Sequence, residues 1–215
     1  MIIVVISILS FLIALTVHEF AHAWSADKLG DPNPKLAGRL SLNPLVHLDP
    51  LGTVVLPLLL ILYRFPIIIG WAKPVEIDSF NFKNIRRDTG LVSLAGPGAN
   101  LLLATILAVI LRLVLSSLDS MNSMLTLVLF LLIRTNIALA VFNLLPIHPL
   151  DGGKALVGFL PARKAHAANE FLNQYGQIML LFFLFPFFGS SLVNRILVPI
   201  INILLSFLIP TSTLI

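Results

Sequence analysis

Residues 1–24 have the sequence MIIVVISILSFLIALTVHEFAHAW, which is apolar apart from three hydroxyl residues and a polar group near its end. At about 1.5 Å per residue, a helix of this length extends about 36 Å and can cross a hydrocarbon core of about 30 Å. The polar group is His18-Glu19-Phe20-Ala21-His22. The stretch therefore predicts a membrane-spanning helix that carries two imidazoles and a carboxylate close to one membrane face.

The composition of the whole chain indicates a polytopic membrane protein. Of the 215 residues, 58% are hydrophobic and 11% are charged, whereas about a quarter of a soluble domain is charged. These figures exclude a water-soluble monomer, a disordered chain, a collagen and a coiled coil. Because the chain has no cysteine, any metal site must use His, Asp or Glu. Basic cytoplasmic loops explain the net charge of +4, so no nucleic-acid partner is expected.

We expect an all-α polytopic membrane protein with about five to six membrane segments and a small membrane-embedded β-hairpin between the early spans. β-Branched residues bounded by Pro and Gly predict the hairpin within residues 67–78. Residues 1–160 are expected to form the core, with spans at about 1–24, 51–63 (a short one), 91–115 and 124–145. Residues 161–215 are expected to add an interfacial helix (161–174) and a C-terminal hydrophobic hairpin (176–188 and 192–209).

The positions of the basic residues predict the orientation in the membrane. Ten of the fourteen Lys and Arg residues lie in three polar segments, residues 25–50, 72–90 and 151–174. If these segments are cytoplasmic, the positive-inside rule is satisfied. The first span and the span 124–145 then both end at the cytoplasmic face. We therefore expect a multi-pass cell-membrane protein with its site near that face.

The polar group of the first span has the residue types and spacing of a metal site. Helix positions i and i+4 share one face, so His18 and His22 can bind the same ion. Glu19, rotated by about 100° from His18, can reach an attacking water instead of the metal. Two neutral imidazoles and a carboxylate base are typical of zinc peptidases. Two other interpretations are interfacial side chains at a helix end and a signal peptide, although a basic n-region is lacking.

A catalytic zinc ion needs a third protein ligand, and the sequence offers four candidates: Asp151, His148, Asp49 and His47. Asp151 is favoured because it follows span 124–145 on the side where the first span ends. The Gly152-Gly153 pair after it lets the backbone turn close to the metal. Asp49 and His47 are more typical of turn and cap residues. His148 is consistent with a hydrogen-bond donor to the site and equally with no specific role.

Three motifs in consecutive spans resemble those of the site-2 protease family of intramembrane zinc metalloproteases. They are His18-Glu19-x-x-His22, Gly96-Pro97-Gly98-Ala99-Asn100 and Asn143-x-x-Pro146-x-x-Pro149-Leu150-Asp151-Gly152. Residues 42–52 and 70–75 resemble the compact prokaryotic branch of the family, which lacks a PDZ or CBS domain. The resemblance covers about residues 10–160, which it identifies as the metalloprotease core, and the last two hydrophobic segments carry no motif.

The resemblance implies one zinc ion per chain, held by His18, His22 and Asp151, with Glu19 as the catalytic base. It also associates Asn143 and Asn100 with the site and its substrate contacts. His148 lies between the matched positions and receives no family role; together with Asn143 it remains a candidate donor to the oxyanion. The implied partners are the lipid bilayer and membrane proteins with a transmembrane segment, cleaved within or near that segment in regulated intramembrane proteolysis.

Three other functions are compatible with parts of the pattern. A membrane metal-ion transporter would usually place ligands near the midplane, with routes to both faces, whereas these candidates converge near one face. A metal-binding membrane scaffold without peptidase activity would not need an intact base. A membrane zinc peptidase that trims lipidated C-termini shares His-Glu-x-x-His but does not explain the motif Pro149-Leu150-Asp151-Gly152.

Overall fold

The computed structural model describes residues 1–63, 70–117, 123–185 and 191–209, and these residues form helices and loops without a strand. The α-helices are α1 (Ile2–Leu29), α2 (Asn33–Leu36), α3 (Leu56–Leu62), α4 (Ile85–Ser117), α5 (Ser123–Asn143), α6 (Asp151–Phe159), α7 (Ala162–Leu184) and α8 (Val198–Leu208). Short 3-10 turns at Pro44–Val46 and Ser79–Asn81 and wider π turns at Pro50–Val55 and Val193–Leu197 complete the pattern. The all-α prediction is confirmed for this part of the chain.

Three of the described helices are long and apolar enough to cross a membrane: Ile2–Leu29, Ile85–Ser116 and Met124–Asn143. The two shorter apolar helices, Pro50–Leu60 and Val193–Leu208, have 10–17 residues each. At about 1.5 Å per residue they fall short of a hydrocarbon core of about 30 Å. The described residues therefore contain three full-length spans and do not support the prediction of five to six membrane segments.

The predicted β-hairpin is not found in the described part of its segment. Residues 70–78 are extended but form no strand, and residues 64–69 lie outside the described residues. The backbone N–H of Trp71 donates to the carbonyl of Gly52 (3.2 Å), and that of Lys73 donates to the carbonyl of His47 (2.9 Å). The preceding loop thus supplies the hydrogen-bond acceptors that a second strand would have provided, because every buried N–H needs a partner of some kind.

The C-terminal region differs from the predicted interfacial helix followed by a separate apolar segment. Helix α7 runs without a break through Gly176, where the sequence suggested a boundary. A Cβ on Gly176 would lie 2.6 Å from the carbonyl oxygen of His148. This glycine therefore allows a close packing contact inside a helix and does not end one. Residues 186–190, where the turn of the predicted hairpin was placed, are outside the described residues.

Helices α1, α4 and α5 pack against one another, and α6 packs on α4. The helices α1 and α4 are antiparallel, since Asn100 bonds to Ala14 while His22 bonds to Val92. Glycines allow the close approach of α6, because a Cβ on Gly158 would lie 2.7 Å from the Cα of Gly90. This packing brings the C-terminal half of α1, the N-terminal half of α4 and the start of α6 together.

An apolar core fills the other end of the bundle, between α4, α5 and the C-terminal residues. Its buried members include Ala104, Ala108, Leu111, Leu129, Ile133, Ile137, Leu197 and Ile201. Side chains of this kind pack by shape alone and make no directional bonds.

Candidate metal centre

The two histidines of α1 lie one helical turn apart and face the interior of the bundle. Their Nε2 atoms are 3.1 Å apart, and the rings meet edge to face with an interplanar angle of 84°. Only 4% of His18 and 7% of His22 is exposed. The predicted shared face for positions i and i+4 is therefore observed, and both imidazoles are removed from solvent.

The carboxylate of Asp151 joins the two imidazoles. Its Oδ2 atom lies 3.0 Å from Nε2 of His18 and 3.1 Å from Nε2 of His22. Asp151 is the first residue of α6, and the start of this helix lies directly on the end of α5. A Cβ on Gly152 would come within 2.3 Å of the carbonyl oxygens of Leu144 and Leu145. This glycine therefore serves the contact between α5 and α6, a different role from the approach to the metal suggested by the sequence.

The alternative third ligands lie elsewhere and have other partners. The carboxylate of Asp49 accepts hydrogen bonds from the backbone N–H groups of Leu51 (2.9 Å) and Gly52 (2.6 Å) and so caps the helical turn that follows. The Nε2–H of His47 donates to the carbonyl of Ser41 (2.8 Å). Among the residues that the structure describes, only His18, His22 and Asp151 form a group able to hold a metal ion.

Hydrogen bonds on the far side of each imidazole fix its tautomer. Nδ1 of His22 lies 2.7 Å from the carbonyl oxygen of Val92, which can only accept, so Nδ1 carries the proton. Nδ1 of His18 lies 2.7 Å from Oδ1 of Asn100. The amide of Asn100 is oriented by its Nδ2, which donates to the carbonyl of Ala14 (2.9 Å). In the neutral form of each imidazole, Nε2 is therefore the nitrogen with the lone pair, and it faces Asp151.

This donor set fits a zinc ion. Three potential ligand atoms converge at 3.0–3.1 Å, an arrangement that a bound cation would stabilise. Tetrahedral zinc with bonds of 2.0–2.1 Å requires donor separations of about 3.3 Å, close to those observed. Two imidazoles and a carboxylate also leave the fourth position open, as catalytic zinc sites do. Hydrogen bonds from the far side of the imidazole, here to the oxygens of Asn100 and Val92, are typical of metal-ligating histidines.

The charge state of Asp151 is the one that a metal ligand needs. Burial of the carboxyl group favours its neutral form, but the contacts with His18 and His22 outweigh this effect. The result is a pKa for Asp151 well below the usual range for a carboxyl group. Asp151 is therefore ionised at neutral pH, and no proton has to leave it before a cation binds.

Comparison with known proteins agrees with this geometry. The family description "Peptidase family M50" matches residues 113–187, which contain Asp151. The chain is 35% identical over 199 residues to "Putative zinc metalloprotease YwhC" of Bacillus subtilis (strain 168), covering 91% of this chain and 85% of that protein. The chain belongs to peptidase family M50, the site-2 protease family.

Mycobacterial relatives carry a similar name. The chain is 34% identical over 188 residues to "Putative zinc metalloprotease Rip2" of Mycobacterium tuberculosis (strain ATCC 25618 / H37Rv), covering 87% of this chain and 68% of the relative. The Rip2 protein of Mycolicibacterium smegmatis is 34% identical over 152 residues, or 71% of this chain and 56% of the relative. No solved structure matches the chain at a significant level. The chain is thus a zinc metalloprotease by family.

Glu19 lies beside the metal group of this M50 chain but is not one of the three residues that form the group. It is half-buried and lies on α1 about 100° from His18 and about 60° from His22. No hydrogen bond or ion pair joins Glu19 to another of the described residues. No other described side chain therefore competes for its carboxylate.

Gly96 covers the imidazoles on the side of α4. A Cβ at this position would lie 2.5 Å from Nε2 of His22 and 2.8 Å from Nε2 of His18, closer than real Cβ atoms come. A Cβ on Gly98 would meet nothing within 4 Å. The next residue after Gly96 is Pro97, which has no N–H and interrupts the helical hydrogen bonds close to Val92, the acceptor for His22. The Gly-Pro-Gly motif thus shapes the site through its first glycine.

The structure places the three remaining candidates differently. Asn100 is fully buried behind His18, and its Oδ1 atom accepts the hydrogen bond from that imidazole. Asn143 is half-buried and its Nδ2 donates to the carbonyl of Leu139 in its own helix (3.0 Å). Nδ1 of His148 lies 2.9 Å from Oδ1 of Asn173 in α7, and its Nε2 is buried without a partner among the described residues. A role for Asn143 or His148 at the oxyanion stays a prediction.

Sequence reasoning missed two parts of the site. The carbonyl of Val92 accepts a hydrogen bond from His22, and a main-chain acceptor cannot be recognised from a pattern of side chains. Asn136 in α5 is fully buried and accepts a hydrogen bond from Asn100 (2.8 Å). A polar residue inside an apolar span was the available signal for Asn136, because such groups are costly in lipid unless they have a partner.

Proposed function

We propose that this chain is an intramembrane zinc metalloprotease that hydrolyses peptide bonds within or near transmembrane segments of membrane proteins. The observation that carries the proposal is the convergence of one ligand atom each of His18, His22 and Asp151, beside the carboxylate of Glu19. The group lies among helices long and apolar enough to span a membrane. Membership of family M50 and the names of the relatives support the same assignment.

In this proposal one zinc ion per chain is held by Nε2 of His18, Nε2 of His22 and Oδ2 of Asp151. Zinc, when bound, polarises the scissile carbonyl and makes a neighbouring water molecule more acidic. The carboxylate of Glu19 accepts a proton from the attacking water as the oxygen of that water bonds to the carbonyl carbon. Glu19 then gives that proton to the amide nitrogen as the C–N bond breaks, and a new carboxylate and amine result.

The depth of the site supports cleavage inside the membrane. His18 lies 16 residues after the start of α1 at Ile2, about 24 Å along the helix axis. In a hydrocarbon core of about 30 Å this depth lies below the surface but close to one face. Residues 25–50, 72–90 and 151–174 carry ten of the fourteen Lys and Arg residues. By the positive-inside rule the face near the site is the cytoplasmic face of a multi-pass cell-membrane protein.

A transmembrane substrate must unwind at the cleavage site, because helical carbonyls are occupied by their own hydrogen bonds. The sequence suggested that residues 67–78 hold the unwound segment by adding it to a strand. The described residues 70–78 form no strand, and the N–H groups of Trp71 and Lys73 already bond within the chain. Strand addition by this segment is therefore not part of the proposed mechanism.

A metal-ion transporter is the main alternative from another class. A transport route needs further coordinating groups across the membrane, yet the described ranges contain a single candidate metal group. Glu19 also has no role in a simple ion pathway. Zinc flux into proteoliposomes separates the two functions: a protease of this type gives no flux, and uptake that depends on Asp151 would establish the transporter.

The direct test of the protease is co-expression with single-span membrane proteins, comparing native chain and Glu19→Gln. The variant keeps its zinc but loses the proton acceptor, so cleavage falls by about 10²–10⁴-fold. Glu170→Gln is the matched control, since Glu170 is exposed, pairs with His166 and does not belong to the metal group. Unchanged cleavage by Glu19→Gln, with zinc still bound, contradicts the assignment of the base.

A further inference from the structure

A buried pair of amides links the candidate metal centre to α5. Both Asn100 and Asn136 are fully buried. Nδ2 of Asn100 donates to Oδ1 of Asn136 (2.8 Å), and Nδ2 of Asn136 donates to the carbonyl of Leu132 in its own helix (2.8 Å). The pair lies directly behind His18, on the side away from Asp151.

Two main-chain carbonyls fix the direction of every hydrogen bond in this network. The carbonyl of Leu132 can only accept, so Asn136 must present its amide nitrogen there and its oxygen to Asn100. The carbonyl of Ala14 likewise takes the other N–H of Asn100. With both N–H groups used, Asn100 has only its oxygen left for His18. Nδ1 of His18 must therefore carry the proton, which leaves Nε2 unprotonated.

We infer that Asn136 is a positioning residue for the metal centre: acting through Asn100, it sets the tautomer and orientation of the His18 imidazole. The inference rests on the proposed metal site and extends it to a residue of α5 that contacts none of the ligands. The amide nitrogen of Asn100 donates one hydrogen bond to the carbonyl of Ala14 in α1 and the other to the side chain of Asn136. The metal centre thus depends on all three spanning helices.

Removal of the acceptor at position 136 leaves one N–H of Asn100 buried and unpaired. Such a group costs about 1–3 kcal/mol and is relieved by movement of the amide away from its position. The hydrogen bond to His18 then weakens. Loss of a partner behind a metal-ligating imidazole typically lowers metal affinity 10–100-fold. The expected effect of Asn136→Leu is therefore at least about tenfold weaker zinc binding.

A conservative variant tests whether an acceptor oxygen at position 136 is enough to preserve the site. Asn136→Asp, buried and neutral, keeps an oxygen for Asn100 and an O–H for the carbonyl of Leu132. Its zinc affinity should stay within about threefold of the native value, because every bond of the network persists. Thr126→Val is the matched control on α5, since it also replaces a buried polar group by an apolar one, at a position with no hydrogen-bond partner among the described residues.

The experiment measures zinc affinity of the full-length protein in detergent by competition with a chromophoric chelator. The variants are Asn136→Leu, Asn136→Asp, Thr126→Val, Asn100→Ala and the double variant Asn100→Ala/Asn136→Leu. If Asn136 acts through Asn100, the Asn136→Leu change has no further effect in the Asn100→Ala background. Asn136→Ala removes the same acceptor and is used if the leucine variant does not fold.

Three outcomes overturn the inference. Native affinity in Asn136→Leu shows that the acceptor does not matter. An equal loss in Asn136→Asp and Asn136→Leu shows that an acceptor oxygen at position 136 does not preserve the zinc site. A full additional loss in the Asn100→Ala background shows that Asn136 acts by another route. Failure of the native chain itself to bind zinc is a distinct result, because it overturns the proposed function and this inference together.

Discussion

The two halves of helix α4 pack against their neighbours in different ways. In the first half, the residues that meet α1 and α6 are glycines and polar groups, including Gly90, Gly96 and Asn100. In the second half, Ala104 and Leu111 are buried in an apolar core with α5 and the C-terminal helix. One half of α4 thus supports the candidate metal centre through close contacts and hydrogen bonds. The other half supports an apolar core through the fit of its side chains.

The difference predicts two kinds of sensitivity. The packing of the first half depends on close approach and on the direction of hydrogen bonds, so a single added atom there displaces a ligand. Shape and volume decide the second half, where a smaller side chain leaves a cavity. Changes at the metal end should therefore alter zinc binding more than stability, and changes in the apolar core should do the reverse.

The largest effect is expected from Asp151→Asn. An asparagine side chain has no negative charge and offers a much weaker ligand, so zinc content should fall to background and proteolysis should be lost. Metal analysis of the purified protein checks the first point and substrate cleavage checks the second. Asp88→Asn is the control, because Asp88 is also a buried aspartate but accepts a hydrogen bond from Asn84 in place of contacting the metal group. Full zinc occupancy in Asp151→Asn would remove Asp151 from the ligand set.

Gly96→Ala should give the next largest effect. The added Cβ would lie 2.5 Å from Nε2 of His22, so the helices or the imidazole must shift. Zinc affinity should fall by about 10²-fold, equivalent to about 2.7 kcal/mol. Gly98→Ala is the matched control in the same motif, with open space around its Cβ and a better helix former in place of glycine. Equal zinc affinity in the two alanine variants would show that α4 does not cover the imidazoles.

Leu111→Ala probes the opposite half of α4. Leu111 is fully buried, and the loss of its side chain should destabilise the fold by about 2–5 kcal/mol. Zinc bound per folded chain should remain at the native level. Unfolding monitored by circular dichroism in detergent and metal analysis of the folded fraction give the two numbers. A parallel loss of zinc affinity would mean that the two halves are not independent.

The smallest effect is expected from Asp49→Ala, which removes a former candidate ligand. The carboxylate caps the turn at Leu51 and Gly52, so its loss should cost about 1 kcal/mol of stability. Zinc affinity and cleavage should not change, since Asp49 is outside the metal group. Zinc titration of the variant is the measurement, and weaker binding would reopen the choice of third ligand.

Local patterns in the sequence predicted the features that depend on helix geometry. The paired histidines of α1 share a face because the turn of an α-helix brings positions 18 and 22 together, whatever surrounds them. The length of the apolar runs likewise predicted α1 and most of α4 and α5. The chain also offered the argument for Asp151, since charge placed the ends of α1 and α5 at the same face.

Features that depend on distant partners were predicted less well. The segment 67–78 has the composition of a strand, but residues 70–78 bond to a loop near His47 and Gly52. The sequence suggested a helix boundary at Gly176, yet this residue lies inside α7, where the backbone at His148 packs against it. In both places a tertiary contact outweighed the local preference, as weak propensities allow.

The amino-acid sequence by itself determined the membrane environment, the helical class and the pair of imidazoles on α1. Each follows from composition or from the period of one helix. Only the tertiary structure decided that Asp151 completes the group, that Gly96 must lack a side chain, and that Asn100 and Asn136 orient His18. These depend on distances of about 3 Å between atoms far apart in the chain, and hydrogen bonds of that length form only once the helices have packed.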